Sequence, residues 1–129
     1  HPSIEVPDSR YEDFVSIGTA GLIADNACAC LFILGASAND WRDFDYLNEP
    51  IAVSLNGETI DSGYGRNVLG DPRVALTCSV NELSSMGMTM RAGQFVTTGT
   101  CRIPVKVQSG DVVHADFGKL GQVGCRFSA

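Results

Sequence analysis

An α+β, strand-rich domain with one main helix is the fold class that this sequence predicts. Short segments of β-branched and aromatic residues recur along the chain, separated by turn residues. Between two of these segments stands Asn56-Gly57, and both residues accept the positive φ that a primed hairpin turn requires. The stretch from Asp71 to Met86 combines a helical apolar period with recognisable start and stop signals.

Taken in order, Ser3 to Val6 alternates as a strand, and Ala29 to Leu34 lies in the longest apolar stretch, which has strand length. Ile51 to Asn56 and Glu58 to Gly63 flank the Asn-Gly turn. In the helix, Asp71 is a natural N-cap and Pro72 suits the first helical position. Leu76, Val80 and Leu83 then recur at i, i+4 and i+7 until Gly87. This apolar stripe is expected to cover the sheet. Gln94 to Thr98, Ile103 to Val107, Val112 to Phe117 and Gln122 to Phe127 read as further strands, punctuated by Ser109-Gly110-Asp111 and Gly118-Lys119-Leu120-Gly121. No repeat, low-complexity tract or linker divides residues 1–129, so a single domain is expected.

A chain of 129 residues can form one core, burying roughly two-thirds of its unfolded surface. The composition, 44% hydrophobic and 19% charged, is that of a soluble globular protein, and no apolar run approaches membrane-spanning length. A net charge of -6 without a Lys/Arg cluster argues against nucleic acid as a partner. The N-terminus has no initiator Met and no export signal, and is read as that of a fragment or processed product. Five scattered cysteines suit a reducing cytoplasm, with Cys28-x-Cys30 read as buried free thiols on one strand face rather than half a metal site.

The motifs that speak to chemistry are four blocks: Ile4-Glu5-Val6-Pro7-Asp8-Ser9-Arg10, Ala24-Asp25-Asn26, Leu69-Gly70-Asp71-Pro72 and Thr97-Thr98-Gly99-Thr100. From the residues alone, Glu5 is a strand carboxylate opposite in direction to its apolar neighbours. Asp8 and Arg10 read equally as a charged pair shaping a loop or as a surface turn. Asp25-Asn26 reads as the end of a short helical turn with side-chain to backbone bonds. Thr98, Gly99 and Thr100 can direct a backbone N–H and hydroxyls toward one anion. His1 and His114 are the only histidines, and no nucleophile motif accompanies them, so a hydrolytic triad is not supported. Gly63-x-Gly65 lacks the spacing of a nucleotide-binding loop.

In this order and at these separations, the blocks resemble the C-terminal half of the 2-keto-4-pentenoate hydratase branch of the fumarylacetoacetate hydrolase superfamily. The resemblance implies a mixed sheet roll flanked by short helices. It also implies Glu5 as one acidic ligand of Mg²⁺ or Mn²⁺, with paired acids in a preceding Gly-x-Glu-x-Glu segment. Thr98, Gly99 and Thr100 would hold a substrate carboxylate, and Asp8, Arg10, Asp25 and Asn26 would stand behind the metal. No general acid or base is evident in the chain. The implied activity is hydro-lyase: hydration of 2-hydroxypenta-2,4-dienoate to 4-hydroxy-2-oxopentanoate in aromatic meta-cleavage catabolism, incomplete in this chain alone. The implied partners are a small 2-oxo acid, further copies of the chain or a complementing N-terminal half, and an associated decarboxylase. Two alternatives remain at this stage: 2-oxo-3-hexenedioate decarboxylase on the same scaffold, and a non-catalytic assembly subunit. The sequence departs from the family at Ala27-Cys28, where a small hydroxyl residue is common, and at Asp71, where His is frequent.

Overall fold

The computed structural model describes residues 1–128. Strand β1 (Ser3–Pro7) is followed by helix α1 (Gly18–Ala24), β2 (Ala29–Leu34), β3 (Pro50–Leu55), β4 (Glu58–Tyr64), helix α2 (Pro72–Ser85), β5 (Val112–Asp116) and β6 (Gln122–Arg126). β1 and β2 form a two-stranded antiparallel sheet in which Ile4 faces Ile33 and Glu5 faces Phe32. The other strands form a four-stranded antiparallel sheet in the order β4-β3-β5-β6.

Local chemistry explains most of these elements. Asn56 and Gly57 adopt φ of 54° and 88°, the primed turn that matches strand twist. The Asn56 side chain also donates to Asp111 Oδ1 at 2.8 Å and accepts from the Val112 N–H at 2.9 Å, tying the β3–β4 turn to the start of β5. Asp71 caps α2 through a 2.8 Å bond from the Arg73 N–H, with Pro72 at the first position.

The core forms where β3, β5 and β6 turn one face inward. Val53, Val113, Ala115 and Val123 are buried there, and Ile4 and Ile33 of the small sheet pack against them with Val107, Phe117 and Phe127. Cross-strand pairing of Val53 with Ala115, and of Ala115 with Val123, puts these side chains on one face because side chains alternate along a strand. Val6 and Ile4 share a face of β1, so Glu5 points the other way and is exposed.

Three sequence expectations are corrected. α2 buries none of its residues, and Leu76 and Val80 are 39% and 40% exposed, so it does not cover the sheet. Amphipathic spacing shows that a helix has a face to bury but not what it is buried against. Gln94 to Thr98 and Ile103 to Val107 are irregular chain outside both sheets, and Pro104 in the second lacks a backbone donor. The thiols are not buried: Cys30 and Cys78 are exposed and Cys28, Cys101 and Cys125 are half-buried. Cys28 sits in the turn before β2 rather than on the strand beside Cys30.

Candidate functional site

β1 delivers Glu5 outward and then runs into a loop that the chain holds firmly. The irregular step after Val6 ends regular pairing, and the Asp8 N–H donates to the Cys28 carbonyl at 2.9 Å. Asp25, at the C-terminal end of α1, is buried at 5% exposure. Its carboxylate accepts from Ser9 Oγ at 2.5 Å and from the Arg10 N–H at 3.3 Å. Arg10 adds its guanidinium, with Nε 3.7 Å from Asp25 Oδ1 and Nη1 donating to the Ala24 carbonyl at 3.2 Å. A buried carboxylate is tolerable only when its lone pairs are engaged, and here the loop after β1 supplies the donors.

The turn that follows is strained. Asn26, Ala27 and Cys28 have φ of 52°, 52° and 54°, a run of left-handed residues none of which is glycine. Such a conformation costs about 1–2 kcal/mol per residue, and the Cys28 N–H bond to the Asp25 carbonyl at 3.0 Å helps to hold it. The turn and the loop together enclose a surface cavity of about 330 Å³ lined by Asp8, Ser9, Arg10, Asp25, Asn26 and Cys30. The sequence-predicted residues Asp8, Arg10, Asp25 and Asn26 are therefore brought together. Ser9 belongs with them, and its signal was its place between two residues of the same motif.

Thr98, Gly99 and Thr100 lie elsewhere, beside β4 and the turn after it. Gly99 has φ 107°, and a Cβ there would stand 3.3 Å from a Val68 methyl. The Thr100 hydroxyl donates to the Arg102 carbonyl at 2.7 Å, and Asn67 Nδ2 donates to the Cys101 carbonyl at 2.8 Å. Burial pushes the Cys101 thiol pKa up, with its own backbone and Arg102 opposing. Arg102, which the motif reading passed over, bonds Asp61 at 3.2 Å. β4 is one outer strand of the large sheet, whereas β1 packs by β6, the other. Among the described residues, no group of three or more His, Cys, Asp or Glu side chains converges on a common point. Glu5 thus offers one carboxylate oxygen donor, chemically suited to a hard cation, and a complete cage needs ligands beyond it.

Comparison with known proteins adds a frame to this geometry. Residues 16–128 match the model described as fumarylacetoacetate (FAA) hydrolase C-terminal. 4-Oxalocrotonate decarboxylase of Pseudomonas putida is 34% identical over 126 residues, 98% of this chain and 47% of that protein. 2-Keto-4-pentenoate hydratase of Paraburkholderia xenovorans (strain LB400) is 29% identical over 128 residues, 99% of this chain and 47% of the relative. Both stretches include the Glu5 block. The solved structure of 4-oxalocrotonate decarboxylase from Pseudomonas putida G7, complexed with magnesium and adipate, superposes with a TM-score of 0.87 at 34% identity, covering 98% of this chain and 48% of that one. The chain spans about half the length of the curated relatives it matches.

Proposed function

This chain belongs to the fumarylacetoacetate hydrolase family, and we propose that it is the C-terminal portion of a divalent-metal-dependent hydro-lyase acting on a small 2-oxo acid. The reaction is hydration of 2-hydroxypenta-2,4-dienoate to 4-hydroxy-2-oxopentanoate, a step of aromatic meta-cleavage catabolism in the cytoplasm. The observation that carries this reading is the near-complete alignment of the chain with hydratases and decarboxylases, at 29–34% identity, together with a TM-score of 0.87. Two related structures hold magnesium or calcium, which supports a hard divalent cation here as well.

In this reading Glu5 donates one carboxylate oxygen to Mg²⁺ or Mn²⁺, and the remaining acids come from the preceding half of the protein or from a complementing chain. The metal would polarise the substrate's 2-oxo oxygen as a Lewis acid. Asp25, gripping Ser9 and Arg10, fixes the loop that leaves β1 and so fixes the strand that presents Glu5. Asp8 and Asn26 line the cavity at the loop that follows β1. Thr98, Gly99 and Thr100 receive the substrate carboxylate through their backbone N–H groups and the Thr98 hydroxyl, the Thr100 hydroxyl being bonded to the Arg102 carbonyl. Water adds at C4 of the conjugated enone, and the group that moves the proton lies outside this chain. The assembled enzyme is a homo-oligomer.

A second reading, decarboxylation of 2-oxo-3-hexenedioate on the same scaffold, is favoured by one observation: decarboxylases match at 34%, against 29% for one hydratase and 33% for another. The deciding experiment assays the full-length protein and its Glu5→Gln variant with Mg²⁺ or Mn²⁺ on freshly generated 2-hydroxypenta-2,4-dienoate and on 2-oxo-3-hexenedioate. Hydration of the first by the parent protein, lost in the variant, is expected. Turnover of the second alone would make the protein a decarboxylase, and turnover undiminished in the variant would remove Glu5 from the metal site. The 129-residue chain by itself is expected to be inactive, and efficient hydration by it would show that its own residues complete the site.

A further inference from the structure

We infer that the guanidinium of Arg102 is the cationic anchor for the carboxylate proposed to bind at Thr98–Thr100, a role that rests on the functional reading above. The Arg102 side chain is 17% exposed, and its Nη2 reaches Asp61 Oδ2 at 3.2 Å. Its Nε and Nη1 are shut away from solvent and, among the described residues, meet no acceptor. A guanidinium does not shed its proton, so these donors cannot be relieved by neutralisation. Buried donors in proteins are nearly always paired, and an unpaired charged one is the costliest kind. The arrangement is explained if the missing acceptor arrives with a ligand.

The group is also held in place before any ligand comes. Gly63 of β4 lets the neighbouring segment press against the strand: a Cβ there would stand 2.5 Å from the Cys101 carbonyl oxygen and 3.2 Å from the Arg102 Cβ. Asn67 holds the Cys101 carbonyl and the Thr100 hydroxyl holds the Arg102 carbonyl. The backbone on both sides of Arg102 is therefore tied down, two residues from Thr100. Asp61, the one partner of the guanidinium among the described residues, is itself 52% exposed. A carboxylate matches this environment, being a planar anion with lone pairs for several N–H donors. The Thr98 hydroxyl and the backbone N–H groups of the segment supply neutral donors and Arg102 supplies the charge. That carboxylate is either C1 of any 2-oxo acid or the far carboxylate of a dicarboxylic one.

The test is calorimetric titration of the full-length protein and of Arg102→Gln, Arg102→Lys and Asp61→Asn, in Mg²⁺, with 2-oxopentanoate and 2-oxohexanedioate. Arg102→Gln should weaken binding about 10–100-fold, Arg102→Lys should recover part of the loss, and Asp61→Asn should tighten binding by removing the competing carboxylate. Equal losses for both acids would assign C1 to Arg102, and a loss confined to the dicarboxylate would assign the far carboxylate. Unchanged affinities in Arg102→Gln, with thermal midpoints lowered alike in Arg102→Gln and Asp61→Asn, would overturn the inference and leave Arg102 a structural partner of Asp61. If Arg102→Gln does not fold, unweakened binding in Arg102→Lys together with untightened binding in Asp61→Asn overturns it equally. Dienoate turnover is followed in parallel. Turnover with Arg102-independent binding refutes this inference alone, and Arg102-dependent binding without turnover refutes the hydratase assignment alone.

Discussion

Replacing Asp25 with alanine removes the acceptor on which the loop after β1 is fastened. Two donors lose their partner, Ser9 Oγ at 2.5 Å and the Arg10 N–H at 3.3 Å, in a place where the carboxylate side chain is only 3% exposed. A hydrogen bond to a charged group contributes about 1.5–3 kcal/mol net, and a long one falls toward about 0.5. The Arg10 guanidinium is 75% exposed and 3.7 Å away, so its ion pair adds only about 0–1 kcal/mol. Together these give a destabilisation of about 2–5 kcal/mol for Asp25→Ala. Asp25→Asn, which keeps the shape and one acceptor oxygen, should lose about 1–2 kcal/mol. Urea unfolding reads these values as a lower midpoint at unchanged slope. In the proposed reading, where Glu5 ligates Mg²⁺, the loop sets the angle of the strand bearing Glu5, and the full-length protein should also lose about 10–100-fold in Mg²⁺ affinity, the usual effect of removing an outer support of a metal ligand. An Asp25→Ala protein with the parent's urea midpoint and Mg²⁺ affinity would refute the anchoring argument.

Further expectations follow from other parts of the chain. Ala27→Gly should stabilise by about 1 kcal/mol, since glycine occupies φ of 52° without the Cβ penalty; destabilisation in urea would show that the left-handed turn is not strained. Asp71→Ala should cost about 1 kcal/mol through loss of the α2 cap, while Leu76→Ala and Val80→Ala in the isolated chain should stay within about 1 kcal/mol because both side chains are well exposed. Costs typical of core truncation at these two positions would contradict the bare helix. The carboxyls of Asp45, Asp71 and Asp111 all titrate below their ordinary value, held down first by side-chain hydrogen bonds from Asn48, Arg73 and Asn56 respectively. A depressed folded pKa contributes stability that is complete above the unfolded value near 4 and is lost as pH falls through the folded one. Thermal midpoints should therefore drop on acidification below about pH 4, and Asp111→Asn should blunt that drop; an unchanged acid profile would count against the Asn56–Asp111 link.

What the sequence made legible is what short-range chemistry dictates. Asn56-Gly57 and Asp71-Pro72 announce their turn and cap by φ preference and side-chain acceptors, and both stand where expected. β2 coincides with its apolar run, and β1, β3, β4, β5 and β6 differ from their expected ends by a residue or two. Gln94 to Thr98 and Ile103 to Val107 look identical to strands in composition, yet pairing needs an available edge, which lies outside a local window. The fate of the Leu76-Val80-Leu83 stripe is likewise decided by whatever else is present to meet it. In the site, Asp8, Arg10, Asp25 and Asn26 stand out through the resemblance of their blocks to a family, and their convergence is a matter of two chain segments bonding across the β1–β2 end. Arg102 escaped notice because an isolated arginine carries no pattern; only its unpaired buried nitrogens mark it.

The pairing of β3 with β5 shapes how the molecule comes together. β3 and β4 are joined by a two-residue turn, and β5 and β6 by the short Gly118–Leu120 turn. Each pair can zip within about 1–10 μs as an independent hairpin. Val53 meets Ala115, however, only after the chain has travelled through α2 and the irregular stretch 94–107 and come back. Docking one hairpin on the other is thus the entropically demanding event and the step expected to limit the folding rate. Once that closure is made, its cost grows only with the logarithm of the excursion, by about 0.6 kcal/mol for each doubling in length. The two hairpins are a fixed frame, and in the long passage between them residues are added at least cost away from the Asp71 cap and from the tied backbone at Cys101 and Arg102.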